Sequence, residues 1–188
     1  EAENEGVVFR LVNPGGRYEY ASFYSMEYIV DGETYSAVGA IGVATRLEAM
    51  PTSGTARCTG DAVYAYTNQS GTGFGGLGSY DASVNFESRT LDSVVTVNNA
   101  QNPFTRENIA NPDFDRIDMP DLEINGTAYS GTNMQLISNN RVVQLTGANT
   151  TAQVEGQFYG AAADSQDRII PDEVAGGALL QGDDGNVV

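Results

Sequence analysis

The strongest constraint on the fold is the alternation of side chains over residues 151–160. Even-numbered positions there are apolar or glycine, and odd-numbered positions are mostly polar. A period of two is the signature of a half-buried strand, whereas an amphipathic helix would repeat every 3.6 residues. The stretch therefore predicts a strand with one face toward a core.

The same alternation recurs along most of the chain, with turn residues between the runs. Asp31-Gly32 is a two-residue hairpin signal, and no long amphipathic helix or run of about 18 apolar residues interrupts the pattern. About eight strands separated by turns favour a closed sheet, since eight is the smallest common barrel that side chains alone can fill. The prediction is an all-β fold, a single antiparallel β-barrel of about eight strands. The regular runs are 17–30, 33–41, 54–67, 79–87, 91–97, 121–129, 135–145 and 151–160, with a short strand over 7–12.

Helix signals are short and few. Pro171 is placed to open a short helical turn before the last strand, with acidic residues following it and Gly176-Gly177 ending it. The final strand is then expected over 178–188. A second short helix is expected over 105–110, with Thr105 as its cap.

Charge limits the partners of this chain. It carries 25 acidic and nine basic residues, a net charge of −16, and its basic residues are all arginines. Nucleic acids and anionic membranes would repel it, so a basic partner fits better. Such a composition is also typical of proteins from salty habitats, and that interpretation stays open. Residues 1–6 are expected to be a flexible acidic leader, followed by one barrel domain over 7–188.

Catalysis has little support in the sequence. Histidine is absent, which removes the Ser-His-Asp triad, the Cys-His pair and the usual zinc signatures. Most carboxylates fall in loops or on outward positions, and the single Cys58 falls on an inward one. The acidic loop 113–121 is better explained as a solvated loop partly paired with Arg116 than as a calcium site. The prediction is no enzyme, no metal and no cofactor.

Two segments are too irregular to be strands, residues 68–78 and 98–120. Long connections in a compact domain are usually functional or disordered. The tyrosines of the run 17–30, Tyr24 and Tyr28 among them, share one face. They either fill or cover the barrel, or supply a binding surface in which tyrosinate could ligate iron or haem.

The closing stretch Gly156-Gln-Phe-Tyr-Gly160, followed by Glu173-Val-Ala-Gly176, resembles the end of the β-barrel domains in the transferrin-binding protein B family of bacterial surface lipoproteins. Residues 50–63 and 80–86 are similar to two earlier strands of that family. The sequence departs from the pattern at Cys58, where an aromatic residue is usual, and in the longer link 161–170.

The resemblance implies an exported, non-enzymatic binding protein at the outer-membrane surface of a Gram-negative bacterium, with a role in iron acquisition. It implies a host or extracellular protein partner, or an iron or haem ligand, and contact with the membrane only through an N-terminal lipid anchor outside this chain. In the family, partner contacts come from loops at one end of the barrel. A lipocalin-like carrier and a structural adhesin domain remain alternatives. The residues expected to bind are Phe104, Arg106, Phe114, Arg116, Tyr24 and Tyr28.

Overall fold

The computed structural model describes most of the chain. The described residues are 7–12, 16–30, 33–67, 73–102, 105, 107–110, 112–143, 151–160, 162–163 and 169–181. The expected acidic leader 1–6 and the end of the last expected strand, 182–188, lie outside them. The chain forms two compact units, one of residues 1–50, 126–128 and 156–177, the other of residues 51–125, 129–155 and 178–188. One barrel domain over 7–188 stays a prediction.

The described residues are dominated by β-strands. No α-helix is present among them, and a 3-10 turn covers Leu47–Ala49. None of them forms a helix long and apolar enough to cross a membrane. The strands are β1 Val7–Val12, β2 Ala21–Val30, β3 Glu33–Gly42, β4 Thr55–Thr67, β5 Gly73–Asn85, β6 Thr90–Val97, β7 Arg116–Asn125, β8 Ala128–Gly131, β9 Gln135–Ser138, β10 Arg141–Val142, β11 Thr151–Tyr159, β12 Ala162–Ala163, β13 Ile169–Ile170 and β14 Glu173–Gln181.

The predicted antiparallel barrel is confirmed. Seven strands follow one another in the order β14-β11-β8-β7-β6-β5-β4 and form a nearly closed barrel, and β9 and β10 extend the sheet from β7. The alternation of the sequence sets its inner face. Ala82, Val84, Leu91 and Leu122 are at most 1% exposed. One side of each strand therefore packs inward, as a period of two requires.

The first three strands form a separate antiparallel sheet in the order β1-β2-β3. In this sheet Tyr24 lies opposite Gly39, and Tyr28 lies opposite Tyr35. A Cβ atom at position 39 would come within 2.9 Å of the Tyr24 ring, so the ring covers the glycine. Such packing supplies the side-chain contacts that a glycine in a strand lacks.

Both short helices expected from the sequence are absent among the described residues. Strand β14 already begins at Glu173, so the helical turn expected after Pro171 is an extended segment. In the stretch 105–110, Asn108 forms a β-bridge with Gln101 instead of entering a helix. Strand β5 also begins at Gly73, inside the expected loop 68–78, and β7 begins at Arg116, inside the expected loop 98–120.

The closing motif holds the first unit together. Phe158 and Tyr159 are buried, and Tyr159 packs with Ala21 and Ala175. Backbone hydrogen bonds join Thr45 N to Phe158 O at 3.0 Å and Gly160 N to Val43 O at 2.9 Å. The Thr45 hydroxyl also donates to Gly160 O at 2.9 Å. The motif is therefore a structural anchor for the segment that follows β3.

Glu173, in the second half of the motif, binds the backbone that leads into β2. Its carboxylate accepts hydrogen bonds from the N–H groups of Glu19 at 2.6 Å, Tyr20 at 3.1 Å and Ala21 at 2.8 Å. Three backbone donors converge on one anion, and charge-assisted bonds of this kind are stronger than neutral ones. The carboxylate thus fixes where β2 begins.

Glu173→Ala is expected to lower the free energy of unfolding by about 2 kcal/mol, because three N–H groups lose a charged acceptor. Hydrogen bonds to water replace part of the lost interaction. Urea denaturation measures the change. Glu173→Gln keeps one oxygen as an acceptor and should lose about half as much. Glu155→Ala is the matched control, since Glu155 is exposed and bonds the Gln153 side chain. An equal effect of Glu155→Ala and Glu173→Ala would contradict the anchoring role.

Candidate binding surface at one end of the barrel

The segment between β6 and β7, residues 98–115, lies against the beginning of β5. Gly75 N donates to Gln101 O at 3.0 Å, and Gln101 N donates to Gly75 O at 2.9 Å. The other predicted loop, 68–78, overlaps β5 from Gly73 onward, and its residues 68–72 lie outside the described part of the chain. We call the surface formed by residues 73–77, 98–102 and 107–110 the loop end.

The segment 98–115 contains a small hairpin that extends the sheet. Its arms are joined by hydrogen bonds from Asn102 N to Glu107 O at 2.9 Å and from Ile109 N to Ala100 O at 2.8 Å. The Gln101 amide donates to the Asn108 side chain at 3.0 Å. The hydrogen bonds hold residues 100–102 and 107–109 in fixed positions, and a preformed arrangement of this kind reduces the entropy lost on binding.

Asn99 fixes the base of this hairpin. Its side-chain oxygen accepts the Leu77 N–H at 2.7 Å, and its backbone oxygen accepts the Tyr64 hydroxyl. Gly76 makes the approach possible, because a Cβ there would overlap the Asn99 backbone and side-chain oxygens. Sequence reasoning missed Asn99. The adjacent glycines Gly75-Gly76 were the available signal, since glycine within a strand marks a close backbone approach.

An aromatic cluster fills the barrel interior beneath the loop end. Phe114 has no exposed surface, and its ring centroid lies 6.0 Å from that of Tyr64, 5.5 Å from Tyr66 and 5.3 Å from Phe74. The rings are mostly edge-on or tilted, as aromatic pairs prefer. Tyr64, Tyr66 and Phe74 are buried as well. These four rings therefore pack as one core cluster beneath the loop end.

Burial raises the pKa of Tyr64 to about 12. The native state therefore favours the neutral phenol, and its contribution to stability is complete below about pH 10, the ordinary pKa of tyrosine. That contribution is expected to disappear as the pH rises from about 10 through 12. Tyr64→Phe should remove a titration step near pH 12 from the tyrosinate absorbance curve and make the alkaline loss of stability shallower. An unchanged titration curve in Tyr64→Phe would contradict this assignment.

Charged groups border the loop end. Arg116 forms a bidentate pair with Asp118, with N–O distances of 2.6 and 2.9 Å, and the hydrogen bond to Asp118 raises the pKa of Arg116. The Asp115 carboxylate accepts the Asn139 N–H at 2.8 Å. Among the described residues, no group of three or more carboxylate or thiol side chains is gathered closely enough to hold a metal ion. The acidic loop is thus tied into the sheet by pairing and capping.

The expected binding residues belong to different parts of the chain. Phe104 and Arg106 lie outside the described residues, in the stretch between the two arms of the hairpin. Phe114 belongs to the core and offers no surface to a partner, so we do not retain it as an anchor. Arg116 is half-buried beside Asp118, and Tyr24 and Tyr28 lie on β2 of the three-stranded sheet.

Cys58 is half-buried on β4. Burial, with a smaller contribution from the Asp81 charge, raises the pKa of its thiol. A raised pKa reduces the thiolate fraction at neutral pH, and the thiolate is the reactive form. The expectation that Cys58 acts as a small apolar side chain therefore agrees with its surroundings.

Comparison with known proteins identifies a family and similar solved structures, one of which is described here. A family model described as the C-lobe and N-lobe β barrels of transferrin-binding protein B matches residues 50–165, which is 116 of the 188 residues. The crystal structure of a mutant transferrin-binding protein B from Haemophilus parasuis is similar, with 15% identity and a TM-score of 0.47. The match covers 92% of this chain and 33% of that one, so the chain spans about a third of that protein. No curated protein sequence matches the chain significantly.

Proposed function

We propose that this chain, which belongs to the family of transferrin-binding protein B β barrels, is a non-enzymatic binding protein that contacts a protein partner through its loop end. The observation that carries the proposal is the aromatic cluster of Tyr64, Tyr66, Phe74 and Phe114. The cluster occupies the interior just below the loop end, so at this end the outer surface is available to bind a partner and the interior is not. A barrel that carries connecting loops at one end is a common frame for recognition.

The proposal includes where the protein works. The family is one of bacterial surface proteins, and we propose export to the outer-membrane surface and a role in iron acquisition. The net charge of −16 supports a partner with basic surface patches, because attraction over a Debye length speeds association. The packed aromatic cluster inside the barrel counts against the alternative of a lipocalin-like small-molecule or haem carrier. The alternative that the chain is a structural adhesin domain predicts that it binds no soluble partner.

The test is binding of immobilised protein to iron-loaded and iron-free transferrin, measured by biolayer interferometry. The paired change Gln101→Ala and Asn108→Ala removes the side-chain link across the hairpin and should weaken binding about tenfold. Glu87→Ala is the matched control, since Glu87 is exposed in the turn at the opposite end of β5. Equal loss in both variants would argue against the loop end, and no binding to either form would exclude transferrin as the partner.

The carrier alternative has its own measurement. The protein is mixed with haemin and with ferric chelates, and visible absorbance and the melting temperature are recorded. A Soret shift, or a tyrosinate-to-iron band with a raised melting temperature, would replace the protein-binding proposal by an iron or haem carrier. No change in either signal is the expected result.

A further inference from the structure

We propose that the outer face of the barrel beside the loop end is a docking surface for a protein that presents an apolar side chain next to a basic one. The surface consists of Val63, Ala65, Gly75 and Leu77, and we refer to it as the Val63–Leu77 face. This inference rests on the proposed function, in that the partner is a protein. It adds the sheet beside the loop end to the surface that the partner contacts.

The Val63–Leu77 face is apolar and open. Val63 and Leu77 are direct cross-strand partners on β4 and β5, and they are 66% and 54% exposed. In the next pair toward the loop end, Ala65 faces Gly75, which adds an apolar floor with almost no side chain. Exposure of two large aliphatic side chains to water is unfavourable, and a partner that covers them gains the free energy of burying their apolar surface.

The face continues into the hairpin without a charge. Gly75 bridges Gln101, and Gln101 bridges Asn108, so one row of residues crosses four strand segments. Amide groups at the border can donate and accept hydrogen bonds at the rim of an interface, around its apolar centre. The surface is thus continuous with the ordered part of the loop end.

An acidic residue lies directly below the apolar rows. Asp61 is two residues from Val63 on the same face of β4. Asp81 on β5 pairs with Arg57 at 2.6 Å, so these two residues together add no net charge to the face. Steps of two residues along a strand are about 7 Å. A complementary partner therefore carries an apolar side chain with a basic group about 7 Å away. Aliphatic contact supplies the affinity, and the Asp61 charge fixes the orientation.

The negative charge of the chain favours a partner with basic groups over a second copy of the chain or an anionic membrane. A second copy docked on the same face would bring together two chains of net charge −16 each, which repel one another. An anionic membrane would be repelled in the same way. A protein surface with both apolar and basic groups satisfies the whole face.

The probe is a synthetic peptide with the repeat leucine-serine-arginine-serine. In an extended strand, its leucine and arginine side chains lie on one side, about 7 Å apart. Backbone amide shifts of the labelled full chain are followed by NMR during titration. The expected result is a set of shifts centred on Val63, Gly75 and Leu77. Leu77→Ser should weaken peptide binding about tenfold, and Asp61→Asn about threefold with a reduced salt dependence.

Val142→Ser is the matched control, because Val142 is also an exposed apolar residue but lies on β10. A peptide with glutamate in place of arginine should not bind, and one with serine in place of leucine should bind weakly at best. Shifts located elsewhere, or equal binding of the leucine-free peptide, would overturn the proposal. So would a dimer in sedimentation that Val63→Ser abolishes, since the face would then serve a second copy.

The outcomes separate this inference from the proposed function. If transferrin does not bind but the leucine-arginine peptide maps to the Val63–Leu77 face, transferrin is excluded as the partner and the docking surface stands. If transferrin binds and Leu77→Ser has no effect on either ligand, the loop end stands and the docking surface fails.

Discussion

Gly160→Ala is expected to lower the free energy of unfolding by about 3 kcal/mol, and the melting temperature by roughly 6–12 °C. Gly160 has a φ of +85°, in the region that side chains rarely adopt. A Cβ there would also lie 2.7 Å from the Tyr20 ring and 3.1 Å from the Asp172 Cβ. Backbone strain of about 1 kcal/mol and steric overlap of about 2 kcal/mol act together.

Gly54→Ala separates the two effects. Gly54 has a similar φ of +89°, but no atom of another residue lies within 4 Å of the position that its Cβ would take. Its replacement should show the backbone strain alone, about 1 kcal/mol. Adding Tyr20→Ala should reduce the effect of Gly160→Ala to that of Gly54→Ala, since residues in contact are not additive. Equal losses in the two single variants would show that the Tyr20 ring moves aside.

The strands were predictable because their signal is local. A half-buried strand alternates with a period of two whatever its partners are, so the runs 7–12, 54–67 and 91–97 agree with β1, β4 and β6 within a residue. Glycine content misled the prediction at β5. Gly73 and Gly76 belong to a strand, and their missing side chains make room for Tyr66 and Asn99 of neighbouring segments.

The expected helical turn failed for a non-local reason. Proline, two acidic residues and a later glycine pair are genuine helix-boundary signals within a short window. Glu173, however, is bound by the N–H groups of residues 19–21, about 150 residues away in sequence. A contact at that separation leaves no trace in the local pattern, and it holds the segment extended.

The candidate site was only partly predictable. The location of the loops followed from composition, because prolines and asparagines break the alternation. The role of individual side chains did not follow, since phenylalanine serves equally as a core residue and as an exposed anchor. The Val63–Leu77 face was also missed, because alternation assigns outward positions without saying whether other residues cover them.

Phe114→Ala is expected to have the largest effect on stability, a loss of about 4 kcal/mol in the free energy of unfolding. The residue has no exposed surface and packs against three aromatic rings. Removing the ring creates a cavity in a region where β4, β5 and the start of β7 meet. Urea denaturation followed by tyrosine fluorescence is the measurement, since the chain has no tryptophan.

Phe114→Leu tests the same site with most of the volume kept, and it should lose about 1 kcal/mol. Both variants are also tested for transferrin binding under conditions where they remain folded. If Phe114 is a core residue that supports the loop end, the affinity of each variant should fall in proportion to its stability. Phe114→Leu should then bind almost as well as the unchanged protein. If Phe114→Ala kept its stability and still lost transferrin binding, the partner would contact the Phe114 ring directly. The ring would then be buried in the free protein and accessible in the complex.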